Sequence, residues 1–172
     1  MLLKSLQKQP ADKILALMAA YRADTRDTKV DLGVGVYKDA SGNTPVMRAV
    51  KEAEKRLQAE QTSKAYVGLA GDPAFSGVMI DLVLGDTIAR DRISAVATPG
   101  GTGAIRQALE LIKMAAPEAT VWLSNPTWPN HPSIIKYLDM KSADYRYFNN
   151  ETRGVDFDGM LADLDGVQTG DV

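Results

Sequence analysis

The stretch ISAVATPGGTGAIRQALELIKMA (93–115) decides how this chain is read. ISAVATP (93–99) is a short apolar strand, glycines follow at 100, 101 and 103, and a helix over 102–115 is stopped by Pro117. Glycines let a backbone approach a ligand closely and reach positive φ at little steric cost. The free N–H groups of a helix start, with the positive end of its dipole, favour an anion such as phosphate. Thr102 adds a hydroxyl at the same place. The same residues also suit a tight strand-to-helix turn with no ligand. A nucleoside triphosphate P-loop is excluded because no G-K-[ST] ending follows. Counting G-x-G-x-x-G from Gly101 puts Arg106 at the third glycine, which argues against a dinucleotide site. A small phosphate-bearing cofactor fits better.

Downstream, ATVWLS (119–124) is a continuous apolar run of the kind buried in parallel sheets. A turn rich in Pro and Asn (125–132) leads to a helix carrying Ile134, Ile135 and Leu138, then to a strand ADYRYF (143–148). A further helix spans 156–166, with Phe157, Met160, Leu161 and Leu164 on one face. This alternation predicts an α/β fold with a mostly parallel sheet and helices on both faces. After Leu164, DGVQTGDV reads as the approach to another strand, so the expectation is a truncated part of a longer fold. Upstream, an amphipathic helix over Asp12–Asp24 places Ile14, Leu17, Met18 and Tyr21 on one side. VDLGVGVYKDASGNTP (30–45) predicts a strand running into a turn, and a second amphipathic helix follows over 46–61.

Three more segments could carry chemistry. SNPTWPNHP (124–132) follows a predicted strand, and ligands of open parallel sheets sit outside the carboxyl ends of strands. It should therefore share a sheet edge with the glycine turn. Trp128 in this stiff loop could cover a flat ligand or plug the top of the sheet. His131 could orient a ligand group or be a packed residue. In LGVGVYKD (32–39), Gly33 and Gly35 suggest close backbone approach or a bulge. In SKAYVGLAGDP (63–73), the Tyr66 phenol could reach a phosphate or simply face solvent. The charged run KEAEKRLQAE (51–60) reads as a solvated helix face.

Composition narrows the field. The 172 residues are 45% hydrophobic and 24% charged, as in ordinary globular proteins. Twenty Lys+Arg against 22 Asp+Glu give a net charge of −2, which offers no electrostatic footprint for nucleic acid or an anionic membrane. The absence of cysteine excludes disulfides, thiolate catalysis and Cys-bound zinc, and a single histidine argues against a His-rich metal site. The apolar run Ile14–Ala20 is far short of the ~18 residues that span a bilayer. MLLKSLQKQP lacks the features of a secretory signal, so a cytoplasmic location is expected.

Taken in order, YRAD, VDLGVGVYKD, TPVMRAVKEAE, KAYVGLAGDPAF, TPGGTGAIR, SNPTWPNH and VDFDGML resemble the class I pyridoxal-phosphate aminotransferases, above all the aspartate and aromatic amino acid group. The resemblance runs through essentially the whole chain. It implies a partial fold-type I pyridoxal-phosphate (PLP) transferase. Residues 1–45 would be an N-terminal arm and part of the small domain, and 46–172 the first half of the large cofactor-binding domain. It implies that Gly101 and Thr102 hold the cofactor phosphate and that Gly103 permits the close turn. Trp128 would stack on the pyridine ring beside the substrate, and His131 would support the aspartate that pairs with the ring nitrogen. Gly35 would offer its backbone to the substrate carboxylate. Tyr66 would reach the phosphate of the neighbouring subunit of a homodimer.

The implied reaction moves an amino group from aspartate or an aromatic amino acid to 2-oxoglutarate. It needs a Schiff-base lysine. None of the eleven lysines lies in a segment resembling the family's lysine motif, so the chain alone is expected to be inactive. Two alternatives stay open: a phosphate-ligand binding module without covalent chemistry, and a non-catalytic fragment that associates through an exposed sheet edge.

Overall fold

The computed structural model describes Lys4, residues 13–33 and residues 35–172, leaving aside the side chains of 13–15. Two compact units result, Met1–Lys64 and Ala65–Val172.

The first unit carries α1 (Lys13–Ala23) and α2 (Arg48–Glu60). Lys29 reaches back to the end of α1, donating to the carbonyls of Tyr21 at 3.0 Å and Asp24 at 2.6 Å. Its ammonium lies 4.5 Å from the centre of the Tyr21 ring. A cation here meets the negative helix end and carbonyls that the helix cannot satisfy itself. The turn expected at Ser41-Gly42-Asn43 forms, with Asp39 Oδ1 accepting the N–H groups of Ser41 and Asn43 at 2.9 Å each. No residue of α2 is buried, its apolar side with Val50 and Leu57 included. The strand expected in VDLGVGVYKD forms no ladder among the described residues. A strand needs a neighbour for its N–H and C=O groups, and apolar sequence alone does not supply one. Val34 of that stretch, and the Ile14 side chain of the predicted α1 face, lie outside the described residues.

The second unit runs α3 (Pro73–Leu84), a 3-10 turn at Arg90–Arg92, α4 (Gly100–Ala115), β1 (Thr120–Asn125), α5 (Asn130–Tyr137) and β2 (Lys141–Arg146). It ends with β3 (Phe148–Asn149), β4 (Gly154–Val155) and α6 (Phe157–Leu164). β1 and β2 pair in parallel, Val121 opposite Ser142, with α5 as the crossover. This is the β–α–β unit that the alternation predicts, although β2 spans 141–146 and not 143–148, with Phe148 in a separate strand. β3 and β4 form a short antiparallel pair. Val172 donates its N–H to the Thr120 carbonyl at 3.0 Å and accepts the Trp122 N–H at 2.7 Å. That is parallel bonding, so DGVQTGDV does lead to a strand position beside β1.

The core gathers Leu109, Val121, Ile135 and Leu138, flanked by Ile105, Ile112, Leu123 and Ile134. Val121 and Leu123 share one face of β1 because side chains alternate along a strand, and α4 and α5 cover that face. Trp122 points to the other face, where Gly166 follows α6: a Cβ at Gly166 would sit 4.0 Å from Trp122 Cη2. Helical structure thus lies on both sides of the pair.

One further expectation needs correction, and one helix was not expected. The segment 93–99 is extended at Ile93 (φ −114°, ψ 131°) but joins no ladder among the described residues. It bonds another segment through the Ala97 N–H, which donates to the Ala70 carbonyl at 2.9 Å. Helix α3 has no counterpart among the expected elements. Its signals are local: Asp72 accepts the Ala74 N–H at 2.7 Å, Pro73 opens the helix and Gly85 closes it. Phe75, Val78, Leu82 and Val83 all stand exposed, and no residue of α3 is buried.

Candidate active site

Helix α4 begins at Gly100, whose φ of +72° lies in the region glycine reaches most easily. The Gly100 amide donates to the Thr98 carbonyl at 2.8 Å. Pro99 stands at the cap position, and no side chain caps the helix. The amides of Gly101, Thr102 and Gly103 belong to the first turn, which an α-helix cannot satisfy from within. A Cβ built on Gly100 or Gly101 would meet nothing within 4 Å, so the bend opens onto free space. Gly103 has a different reason to be glycine. A Cβ there would fall 2.9 Å from Pro99 Cδ, so its absence lets the proline ring fold onto the helix.

The second segment leaves β1 at Asn125, passes the cis Asn125–Pro126 bond and enters α5 at Asn130. Ser124 Oγ donates to the Pro126 carbonyl at 3.0 Å, and the His131 N–H donates to the Trp128 carbonyl at 2.9 Å. These local bonds hold the loop. The Trp128 and His131 rings meet edge to face, with centroids 5.3 Å apart and planes at 88°. Trp128 keeps 40% of its surface exposed. Thr127 Oγ1 lies 2.8 Å from His131 Nδ1, which leaves Nε2 as the ring nitrogen for a further partner.

The two segments meet. Asn130 Nδ2 donates to Thr102 Oγ1 at 3.4 Å, joining the Trp128 loop to the first turn of α4. The Tyr66 segment also reaches this neighbourhood through its backbone, since Ala70 accepts the amide of Ala97 just before the glycine turn. The Tyr66 side chain itself is fully exposed. Gly35 belongs to the first unit, where a Cβ would meet nothing within 4 Å. Gly101, Thr102, Gly103, Trp128 and His131 are therefore brought together, with Tyr66 tethered nearby in sequence. Thr127 and Asn130 were not singled out by the sequence reading. Their signal was available: a threonine four residues before the only histidine, and an asparagine opening a helix beside a tryptophan loop.

Charged groups of α4 and of the far edge of the sheet are engaged elsewhere. Arg106 pairs with Glu110 at 2.6 Å and lies 4.6 Å from the centre of the Tyr137 ring. Lys113 donates to the Leu138 carbonyl, and Lys141 pairs with Glu118 at 2.7 Å. Among the described residues, no group of three or more metal-ligating side chains could hold a metal ion, and no helix is long and apolar enough to cross a membrane.

A family model described as aminotransferase class I and II matches residues 27–172. The chain belongs to this family. It is 54% identical over 171 residues to an aromatic-amino-acid aminotransferase of Paracoccus denitrificans, covering 99% of this chain and 43% of that one. It is 40% identical to an aspartate aminotransferase of Escherichia coli K12, covering 98% of this chain and again 43% of the relative. Among solved structures, an aromatic-amino-acid aminotransferase from Burkholderia pseudomallei, covalently bound to pyridoxal phosphate, aligns with a TM-score of 0.88 and 38% identity. That alignment covers 98% of this chain and 43% of the neighbour. This aminotransferase chain thus spans less than half the length of the proteins it matches.

Proposed function

We propose that the protein transfers an amino group from aspartate or an aromatic amino acid to 2-oxoglutarate with pyridoxal phosphate, and that this chain supplies part of the cofactor seat. The observation that carries the reading is the uncapped, glycine-lined start of α4, tied by Asn130 to the loop that presents Trp128. These residues suit a phosphate joined to a flat ring. The open bend at Gly100 and Gly101 leaves room for phosphate oxygens at the amides, and the Thr102 hydroxyl adds a donor. Trp128, 40% exposed, offers an aromatic face on the neighbouring loop.

When bound, the cofactor supplies an electron sink for the amino-acid carbanion. The chain's own residues then hold and orient. Gly101 and Thr102 bind the phosphate, and Trp128 stacks on the ring and excludes water from one side of it. His131, held at Nδ1 by Thr127, would offer Nε2 to a carboxylate that neutralises the ring nitrogen. Gly35 would contact the substrate carboxylate, and Tyr66 the phosphate of a second subunit. In this reading, residues 1–45 form an arm and part of a small domain, residues 46–172 begin the cofactor-binding domain, and the working enzyme is a cytoplasmic homodimer.

The proton-shuttling lysine is assigned to none of the lysines here, so the chain alone should bind without turning over. The test is calorimetry of the chain with pyridoxal phosphate and with inorganic phosphate, alongside tryptophan fluorescence. The expected result is tighter binding of pyridoxal phosphate, with quenching that is lost in Trp128→Phe. Equal affinity for the two ligands overturns the ring-binding half of the reading. Borohydride labelling of one unique lysine, with keto-acid formation, overturns the expectation of inactivity.

A further inference from the structure

Thr102 Oγ1 accepts a hydrogen bond from Asn130 Nδ2 across 28 residues of sequence, at 3.4 Å. A threonine hydroxyl has one proton to give and two lone pairs to accept with, whereas an amide nitrogen only donates. In a helix, that proton commonly turns back to a carbonyl three or four residues earlier. For Thr102 those carbonyls belong to Pro99 and Thr98, and the Thr98 carbonyl already accepts the Gly100 amide. A hydroxyl turned that way would present its oxygen, and no proton, to an anion at the helix start.

We propose that Asn130 is a positioning residue for the phosphate: its amide occupies the acceptor side of the Thr102 hydroxyl and so directs the O–H proton to a phosphate oxygen. This rests on the preceding reading of the α4 start as the phosphate seat. The contact is at the long end for a hydrogen bond, and such contacts tighten when a site is filled. Asn130 also stands between Trp128 and His131 in sequence, and the His131 amide bonds the Trp128 carbonyl. Aspartate, the nearest isostere, would do the opposite: its carboxylate would accept the Thr102 proton and set a negative charge beside the phosphate.

The experiment measures the affinity of the chain for pyridoxal phosphate and for unphosphorylated pyridoxal. The variants are Asn130→Ala, Asn130→Asp, Thr102→Val and the double variant Asn130→Ala/Thr102→Val. Asn130→Ala should weaken pyridoxal phosphate about fivefold, the worth of one ordinary hydrogen bond. Asn130→Asp should weaken it further. The double variant should be no weaker than Thr102→Val, and pyridoxal should be held equally by all. Losses that multiply in the double variant, or an aspartate that serves as well as asparagine, overturn the positioning role while leaving the cofactor reading intact. A wild-type chain that holds pyridoxal phosphate no better than pyridoxal overturns the phosphate seat itself, and the positioning role with it. In the ligand-free chain, a nuclear Overhauser contact between the Asn130 amide protons and the Thr102 methyl is expected, and its absence also overturns the proposal.

Discussion

Gly71 and Ala97 meet so closely that a Cβ on Gly71 would lie 2.4 Å from the Cβ of Ala97. Gly71 also has φ +91°, and the neighbouring Ala70 carbonyl accepts the Ala97 amide at 2.9 Å. The loop that follows Tyr66 is thereby fixed to the backbone entering the glycine turn. Gly71→Ala combines backbone strain with steric overlap and should cost about 2–4 kcal/mol. Gly85→Ala is the control, because its φ of +51° is also positive but a Cβ there meets nothing within 4 Å. That variant should cost about 1–2 kcal/mol from backbone strain alone, at φ +51° and ψ −126°. Urea unfolding of the two variants measures the difference, and equal costs would deny the contact with Ala97.

Asp171 joins the last residues to β1. Its carboxylate accepts the Thr120 amide at 2.9 Å, the Gln168 amide at 3.1 Å and the Trp122 indole N–H at 3.2 Å. These bonds, that from the Thr120 amide foremost, hold its pKa below the ordinary carboxylate value. In Asp171→Ala the Trp122 indole proton should exchange with solvent faster and its resonance should move upfield. An unchanged indole signal would mean that the carboxylate does not hold the ring.

Asp163 predicts a pH dependence. Arg146 donates to it through its side chain at 2.7 and 2.9 Å and through its backbone amide at 2.8 Å. The arginine side chain, followed by that amide, lowers the Asp163 pKa from 3.8 to about 2. A depressed carboxylate pKa stabilises the fold above the unfolded value, and the contribution fades as pH falls through the folded one. Stability lost between about pH 4 and pH 2 should therefore be smaller in Asp163→Asn than in wild type. Parallel acid titrations followed by circular dichroism report it, and superimposable curves would refute it.

Ile135 is 2% exposed and sits between α4 and β1 in the core. Ile135→Ala should lower unfolding free energy by about 2–5 kcal/mol through lost burial and a residual cavity. Met114→Ala, at a site 83% exposed, should change it by less than about 0.5 kcal/mol. Denaturant midpoints of both variants test the contrast.

The β1–α5–β2 unit was legible because its signals are short-range: a continuous apolar run, a turn rich in proline and asparagine, and Ile134, Ile135 and Leu138 at helical spacing. The bend at Gly100–Gly103 was legible for a similar reason, since a glycine cluster between a strand-like and a helical segment restricts what the backbone can do. Helix α3 was harder to see. Its apolar residues PAFSGVMIDLVL lie all round the helix, so they show no amphipathic period, and only Asp72, Pro73 and Gly85 mark its ends. The local pattern around Thr127 and Asn130, a threonine four residues before a histidine and an asparagine opening a helix, is common, and only the neighbours that packing brings give it meaning.

By itself, the sequence determined the local conformations around the site: a glycine-lined helix start, a stiff tryptophan loop and the alternation of strand and helix. Steric limits on φ and the period of side chains act over a few residues, so composition and spacing suffice for them. Tertiary structure alone decided which apolar stretches became paired strands, that Ala70 would bond Ala97 and that Asn130 would find Thr102. Hydrogen bonds between distant segments depend on where packing brings each donor and acceptor, and no local pattern carries that information.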